Sequence, residues 1–246
     1  MIQQIDIKGR SGRIYGLLYR PEKEVFSLVI ISHGLGGSHE GSIDFCETFL
    51  KEGIGAFVFD FSGGSYQGRS EGKTTKMSVL TEANDLECVI DQLCAYPFID
   101  PERIFLMGKS QGAFVSTIVA AKRKKQIKAL IGLYPGYVLE EAAEKEAEKY
   151  EKIPEELDFL WLRVGRIYIE DLLKTRIYEW MKDYEGDVLL VHGSADSIVN
   201  YGSVEKAARS FPHAQLVVLK GAEHGFHGLE REDVIKMVTG FLKDRI

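Results

Sequence analysis

Several kinds of protein are excluded by what this chain of 246 residues contains little of. It has three cysteines, Cys46, Cys88 and Cys94, with no Cys-x-x-Cys pair and no His/Cys cluster. Neither a disulfide framework nor a metal site is therefore indicated. No stretch approaches the roughly 18 consecutive apolar residues that a transmembrane helix needs. These absences favour small apolar core cysteines in a reducing compartment.

Basic residues are outnumbered by acidic ones, 31 to 37. The formal net charge of −6 argues against nucleic acid and anionic membranes as partners. The one basic run, at 122–125, fits the end of a helix, where cations complement the helix dipole. The first eight residues alternate apolar and polar side chains and lack the apolar core of a signal peptide. We therefore expect a cytoplasmic protein with no nucleic-acid or membrane partner.

What the chain does have is a regular alternation of short apolar runs with longer helical patterns. The apolar runs predict strands at 28–32, 56–61, 103–107, 129–134, 188–192 and 215–219, and helices are predicted at 42–52, 78–93, 113–122, 204–211 and 232–243. Two earlier segments, 2–7 and 13–19, predict an antiparallel hairpin. This order predicts an α/β fold with a mostly parallel, doubly wound sheet.

Residues 136–185 interrupt the alternation, because no central strand is evident there. The segment begins with Glu- and Lys-rich helical sequence and continues with an apolar run at 158–169. An insertion with its own apolar patch between two strands predicts a cap over the strand ends, where open α/β sheets bind ligands. With no linker composition and no internal repeat, we expect a single domain, 1–246, with a cap at about 136–185.

The most informative motif is Gly108-Lys109-Ser110-Gln111-Gly112, a Gly-x-Ser-x-Gly sequence between a predicted strand and a predicted helix. Glycines two residues to either side allow strand and helix to pack closely around a sharp turn. Ser110 would then be exposed beside the first amides of a helix, which suits a nucleophile whose product is an oxyanion. A serine helix cap in a glycine-rich turn is the simpler alternative.

A serine hydroxyl needs a base, and the base needs an orienting acid. Asp196 follows the predicted strand at 188–192. His224 follows the last predicted strand, at 215–219, and lies between Gly221 and Gly225. The chain order Ser110, Asp196, His224 is that of a strand-turn-helix serine hydrolase. Taken alone, Asp196 is also suited to capping a turn. The three residues together predict a catalytic triad at one edge of the sheet.

An oxyanion hole is predicted from two backbone amides, those of Leu35 and Gln111. Leu35 lies in the sequence His33-Gly34-Leu35-Gly36-Gly37, directly after the strand at 28–32. Gly34 and its neighbouring glycines let the backbone approach the substrate. His33 is more simply interpreted as a structural group that hydrogen-bonds this loop than as a second base.

These motifs, with 60–65, 68–72, 192–196 and 221–224, resemble those of the α/β-hydrolase superfamily over essentially the whole chain. The closest resemblance is to bacterial feruloyl (cinnamoyl) esterases. It implies Ser110 as nucleophile, Asp196 as acid, His224 as base and oxyanion amides from Leu35 and Gln111. It also implies that Tyr168, in the insertion, contacts an aromatic acyl group. Lys109, where many relatives have histidine, and the charged cap depart from the esterase pattern.

The sequence thus predicts a serine carboxylesterase that acts through an acyl-enzyme on a small-molecule feruloyl, cinnamoyl or short-chain ester. No metal or organic cofactor is implied. Alternatives are a monoacylglycerol lipase, a thioesterase, or a hydrolase fold that binds a ligand without turnover. An oligopeptidase usually carries a further large domain, for which this length leaves no room. A homodimer is expected if the apolar segment around Trp161 packs against another subunit rather than over the pocket.

Overall fold

The centre of the molecule is an eight-stranded sheet. We describe residues 1–246 from a computed structural model. The strands are β1 (Ile2–Gln4), β2 (Ile7–Lys8), β3 (Arg13–Ile14), β4 (Gly16–Tyr19), β5 (Phe26–Ser32), β6 (Gly55–Phe59), β7 (Ile99–Lys109), β8 (Ile127–Leu133), β9 (Glu156–Phe159), β10 (Leu162–Gly165), β11 (Asp187–Gly193) and β12 (Ala214–Leu219). The α-helices are α1 (Ile43–Lys51), α2 (Val79–Leu93), α3 (Gln111–Lys122), α4 (Leu139–Ala147), α5 (Arg166–Lys174), α6 (Ile177–Asp183), α7 (Tyr201–Ser210) and α8 (Gly228–Lys243).

The strand order is β1-β4-β6-β5-β7-β8-β11-β12. From β6 to β12 every neighbouring pair is parallel, whereas β4 pairs with β6, and β1 with β4, in the antiparallel direction. The predicted mostly parallel, doubly wound α/β sheet is confirmed. Because the parallel strands run the same way, the loops that follow β5, β7, β11 and β12 meet at one edge of the sheet.

Both faces of the sheet are covered by helices, which explains the continuous apolar character of its strands. On β5, Leu28 and Ile30 pack into the core beneath α2 and α3, while Val29 and Ile31 pack into a second core beneath α1 and α8. Residues 111–121 of α3 are all buried, which is the behaviour expected of a helix enclosed on every side. The sheet edge that carries the loops is therefore rigidly supported.

The segment between β8 and β11 contains α4, the antiparallel hairpin β9–β10, α5 and α6, and no strand of the central sheet. Its apolar residues, among them Phe159 and Leu172, belong to the same buried cluster as Leu28 and Ile30. The inserted segment packs on helices α2 and α3, which cover that face of the sheet. The assignment of the chain as one domain with a cap stays a prediction.

Most predicted elements differ from the structure by a few residues at their ends, and two differences are larger. The single hairpin predicted at 2–19 is divided into two short antiparallel pairs, β1 with β4 and β2 with β3. Strand β7 begins at Ile99 rather than at 103, and its register against β5 shifts between Phe26 and Leu28, so that residues 100–103 form an irregular bulge. Among the helices, none has both the length and the apolar character needed to cross a membrane.

Candidate active site

Ser110 lies at a sharp turn between β7 and α3. Its backbone has φ +50° and ψ −118°, a conformation that residues other than glycine rarely adopt. The flanking positions must be glycine because backbone atoms of other segments approach them closely. A Cβ on Gly108 would lie 2.3 Å from the backbone nitrogen of Ala113, and one on Gly112 would lie 2.4 Å from the carbonyl oxygen of Ser32. The close packing of strand against helix therefore holds the serine in this strained conformation at the strand end, in a partly exposed position.

Three predicted side chains meet at this turn although 114 residues separate the first from the last. His224 Nε2 lies 3.1 Å from Ser110 Oγ, and His224 Nδ1 lies 2.8 Å from Asp196 Oδ2. Asp196 follows β11 and His224 follows β12, so each side chain is delivered by a loop at the same sheet edge. This chain of hydrogen bonds suits proton transfer from the serine hydroxyl to the imidazole.

The carboxylate of Asp196 is fixed on both oxygens. Its Oδ1 accepts hydrogen bonds from the backbone amides of Ile198 (2.9 Å) and Val199 (2.8 Å), while Oδ2 accepts from His224. Burial alone would raise the pKa of Asp196, but these hydrogen bonds lower it below its ordinary value. The carboxylate is thus ionised and oriented toward the imidazole.

The imidazole of His224 is also positioned by an aromatic ring. Tyr134, directly after β8, packs edge-on against it with centroids 4.9 Å apart. Tyr134 itself has φ +37°, and its amide donates to the carbonyl of Val191 (2.7 Å). No local sequence pattern indicates a role for Tyr134, because neither its strained backbone nor its ring contact produces a periodic or motif signal.

The two amides predicted as oxyanion donors are near the serine. Gln111 is the first residue of α3, so its amide has no intrahelical acceptor. The amide of Leu35 donates to no protein group, and Leu35, Ser110 and Gln111 line one cavity. Gly34 lies against the serine, since a Cβ there would be 3.1 Å from Ser110 Cβ. The arrangement can offer two N–H donors beside the hydroxyl.

His33 supports this loop through both ring nitrogens. Its Nδ1 donates to the carbonyl of Gly34 (2.8 Å), and its Nε2 accepts from the amide of Phe61 (3.1 Å). Burial lowers the pKa of His33 to about 4, against a smaller opposing effect of the Gly34 carbonyl. The ring is therefore neutral at neutral pH and serves as a fixed strut between two loops.

The expectation that Tyr168 contacts substrate requires correction. Its side chain is fully buried and lines neither cavity next to Ser110. The hydroxyl donates to Oε1 of Gln111, and Nε2 of Gln111 donates to Glu82 (2.8 Å). The resemblance to feruloyl esterases implied the substrate contact, because Tyr168 lies at the matching place in the insertion. Helix α5 instead turns it inward, so that it holds the side chain of Gln111.

Two cavities flank Ser110 and differ in character. One, of about 60 Å³, is lined mainly by apolar residues: Leu35, Ser110, Gln111, Gly136, Val138, Leu139, Ala142, Leu160, Trp161, Ile198 and Val199. The other, of about 290 Å³, is called the polar cavity because it contains the lysine and histidine side chains that the first lacks; it is lined by His33, Gly34, Leu35, Gly37, Ser38, Gly41, Lys109, Ser110, Tyr134, Trp161, His224, Gly225 and His227. Trp161, at the turn between β9 and β10, lines both, and its Nε1 donates to the carbonyl of Leu35 (3.0 Å).

No group of three or more His, Cys, Asp or Glu side chains is arranged to hold a metal ion. The chemistry that this site can support with its own residues is proton transfer and nucleophilic attack by a serine. An anion formed beside Ser110 would meet the amide of Gln111 at the start of a buried helix, where the helix dipole favours negative charge, and the amide of Leu35 in the loop after β5.

Known proteins show the same architecture. Structurally, the chain is similar to Est1E from Butyrivibrio proteoclasticus with ferulic acid bound, at 26% identity, 98% coverage of both chains and a TM-score of 0.89. It also has the fold of a monoacylglycerol lipase from Paleococcus ferrophilus, at 20% identity, with 95% of this chain and 99% of that chain covered and a TM-score of 0.75.

Among curated proteins, the chain is 27% identical over 199 residues to prolyl endopeptidase FAP of Bos taurus, and 27% identical over 199 residues to that of Homo sapiens. Each alignment covers 78% of this chain and 25% of the relative, so the chain spans about a quarter of the length of these proteins.

Two family models cover most of the sequence. One described as serine aminopeptidase, S33, matches residues 23–168, more than half of the chain, and one described as TAP-like protein matches residues 175–245. The chain therefore belongs to the serine aminopeptidase S33 family of hydrolases and has the α/β-hydrolase fold.

Proposed function

We propose that this protein is a carboxylic ester hydrolase that works through an acyl-enzyme formed on Ser110. The observation that carries the proposal is the continuous chain of hydrogen bonds from Asp196 through His224 to the Ser110 hydroxyl. Leu35, whose amide is unbonded, and Gln111, whose amide begins α3, line one cavity together with Ser110. A nucleophile, its base, its orienting acid and two oxyanion donors are thus available together.

In the proposed reaction, His224 takes the proton of Ser110 as the oxygen attacks the ester carbonyl. The amides of Leu35 and Gln111 stabilise the tetrahedral oxyanion, and each such donor is typically worth about 3–4 kcal/mol in the transition state. His224 then gives the proton to the departing alcohol. Water, activated by the same imidazole, releases the acid from the serine.

The two cavities suggest how an ester would lie. The apolar cavity contains Leu35 and Gln111 and suits the acyl group, while the polar cavity contains His224, which must reach the departing oxygen. About 60 Å³ accommodates a short acyl chain. An aromatic acyl group, as the ferulic acid bound to Est1E suggests, needs the half-exposed side chains of Leu160 and Trp161 to move aside.

The direct test is turnover of p-nitrophenyl acetate by wild type and by Ser110→Ala. We expect the substitution to lower kcat by about 10⁴-fold or more, because no other group can form the acyl-enzyme. Ser197→Ala, an exposed serine next to Asp196, is the matched control and should keep wild-type turnover. Wild-type activity in Ser110→Ala would show that the mechanism is wrong.

Peptide hydrolysis is a second candidate, favoured by the description of the family and by the prolyl endopeptidase relatives. The same triad serves both reactions, so the distinction lies in the leaving group. Comparing p-nitroanilides of single amino acids and of a prolyl dipeptide with p-nitrophenyl esters would separate them. A kcat/KM for a p-nitroanilide equal to or above that for the esters would favour a peptidase.

A further inference from the structure

The residue before the nucleophile is a lysine whose charge the proposed mechanism does not use. Lys109 is 7% exposed at the end of β7, and its Nζ donates to the carbonyl of Gly41 at 2.5 Å. No carboxylate oxygen lies within ion-pair distance of this ammonium. An ammonium has three donors, and the protein accepts from one of them. Burying a cation with only one hydrogen-bond acceptor costs free energy, unless a ligand supplies the missing acceptors.

The surroundings of Lys109 carry excess positive charge. Arg231, on α8, donates to the same carbonyl of Gly41 (2.7 Å) and is bound to the carboxylate of Asp44 on α1. The two cations therefore share one carbonyl, and the carboxylate of Asp44 is paired with Arg231 rather than with Lys109. Burial raises the pKa of the nearby Cys46 thiol, so this group stays neutral and adds no negative charge. Burial also lowers the pKa of Lys109 to about 8, which leaves the amine mostly protonated at pH 7.

This unpaired charge borders the reacting atoms. Lys109 and Gly41 line the polar cavity of about 290 Å³ that also contains Ser110 and His224. No carboxylate lines that cavity. Because His224 must protonate the departing alcohol, this is the leaving-group side of the site. The apolar cavity on the other side of Trp161 contains no charged residue.

We infer that the polar cavity binds a carboxylate carried by the alcohol portion of the ester, with Lys109 Nζ as its hydrogen-bond donor. One unpaired ammonium balances a monoanion, whereas a phosphate dianion would leave negative charge uncompensated in this cavity. The inference rests on the proposed esterase function and adds the class of leaving group. It assigns to Lys109 a role in specificity rather than in the chemical step.

The test compares two acetyl esters that differ in one charge, those of 3-hydroxybenzoate and of 3-hydroxybenzamide, at pH 7. The acyl group is the same as in p-nitrophenyl acetate and fits the apolar cavity. The quantity measured is the ratio of kcat/KM for the carboxylate ester to that for the amide ester. Dividing the wild-type ratio by the ratio in Lys109→Met removes the difference in intrinsic reactivity between the two esters.

We expect the ratio to fall at least about tenfold in Lys109→Met, the size expected for a hydrogen bond to a charged group. Lys128→Met is the matched control, because it removes an exposed lysine from the other end of the neighbouring strand β8. It should leave the ratio unchanged and so exclude an effect of net charge. Lys109→Gln, which keeps a donor without the charge, should give an intermediate ratio.

Failure of this inference is distinguishable from failure of the proposed function. Hydrolysis of p-nitrophenyl acetate by wild type, with the same carboxylate-to-amide ratio in wild type and Lys109→Met, would overturn the anion subsite and leave the esterase intact. Absence of turnover on all three acetyl esters would overturn the esterase. If Lys109→Met does not fold, the wild-type enzyme decides: the ratio of kcat/KM for the two esters is divided by the ratio of their hydrolysis rates in buffer, and a corrected preference for the amide ester contradicts the inference.

Discussion

At the scale of single residues, burial decides the charge of the groups behind the active site. Glu82, on α2, is fully enclosed, and its Oε2 accepts a hydrogen bond from Gln111 while its Oε1 has no partner. Burial raises the pKa of Glu82 to about 8 despite that hydrogen bond, and the nearby Asp85 adds to the rise. The acid that supports Gln111 is therefore uncharged at neutral pH.

Because Glu82 keeps its proton in the folded protein, the free energy of unfolding depends on pH. An unfolded Glu ionises near its ordinary pKa of 4.5, whereas the folded protein holds the proton up to about pH 8. Between these values the folded state binds the extra proton, so the free energy of unfolding falls as pH rises. Glu82→Gln removes this titration and keeps an acceptor for Gln111. Relative to wild type, the variant should gain up to a few kcal/mol between pH 5 and pH 8.5.

Urea denaturation of both proteins at the two pH values measures this gain. Glu87→Gln, a partly exposed position on the same helix, is the control for removing a carboxylate from α2. A stability difference between Glu82→Gln and wild type that stays constant with pH would contradict a protonated Glu82.

At the scale of elements, the turn from β7 into α3 can form only because two positions, Gly108 and Gly112, carry no side chain. Gly108 and Gly112 face backbone atoms, which cannot move aside as a flexible side chain can. The strained Ser110 between them is therefore kept in place by the packing of strand against helix, and its orientation toward His224 follows from that packing.

Gly108→Ala should accordingly destabilise the fold by about 3 kcal/mol or more, since the new methyl group overlaps the first turn of α3. Gly240→Ala is the matched control, because no atom lies within 4 Å of the added Cβ on α8. It should stabilise the protein by about 0.5–1 kcal/mol through helix propensity. Thermal and urea unfolding of both variants compare the two effects. Equal stability of Gly108→Ala and wild type would contradict the close approach at this turn.

The hairpin β9–β10 places Trp161 as the wall between the two cavities. Trp161→Ala should open the apolar cavity and raise kcat/KM for p-nitrophenyl benzoate relative to the acetate by about tenfold. Trp161→Phe keeps an aromatic wall and loses only the hydrogen bond to Leu35, so its ratio should stay near that of wild type. An unchanged ratio in Trp161→Ala would place the acyl group elsewhere.

At the scale of the whole molecule, the inserted segment and the sheet share one buried core. Phe159 and Tyr168 of the insertion belong to the same cluster as Leu106 of β7 and Phe114 of α3. The hydrogen bonds from Tyr168 through Gln111 to Glu82 join α5, α3 and α2 across that core. Movements of the insertion are therefore coupled to the residue whose amide is proposed for the oxyanion hole.

A shared core predicts one unfolding transition. Both tryptophans, Trp161 and Trp180, lie in the insertion, so their fluorescence reports on it while far-ultraviolet circular dichroism reports on the whole chain. The two signals should change together in urea. Tyr168→Phe leaves Gln111 Oε1 without its donor and should shift both curves by about 1–3 kcal/mol.

Tyr178→Phe is the matched control, since its half-buried hydroxyl makes one long hydrogen bond, 3.4 Å, to the carbonyl of Ser203. It should cost clearly less stability than Tyr168→Phe. Separate fluorescence and dichroism transitions in wild type would show that the insertion unfolds on its own.

The parts of this protein that were predictable from sequence are those encoded locally. Apolar runs gave the sheet strands within a few residues, and glycine spacing around Ser110 indicated the strained turn. Asp196 and His224 were identified because parallel strands bring the residues that follow them to one edge. The inward direction of Tyr168 and the contact of Tyr134 with His224 depend on packing between distant segments, which leaves no periodic signal.

The sequence by itself determined the order of the central strands β5, β6, β7, β8, β11 and β12, the turn at Ser110 and the residues that a triad requires, because backbone geometry and strand direction follow from local residue types. Only the tertiary structure decided which groups are charged, which amides are unbonded and what separates the two cavities. Those properties depend on burial and on neighbours far apart in the chain. The unpaired charge of Lys109 is one of them, since only the fold places it beside the nucleophile without a carboxylate.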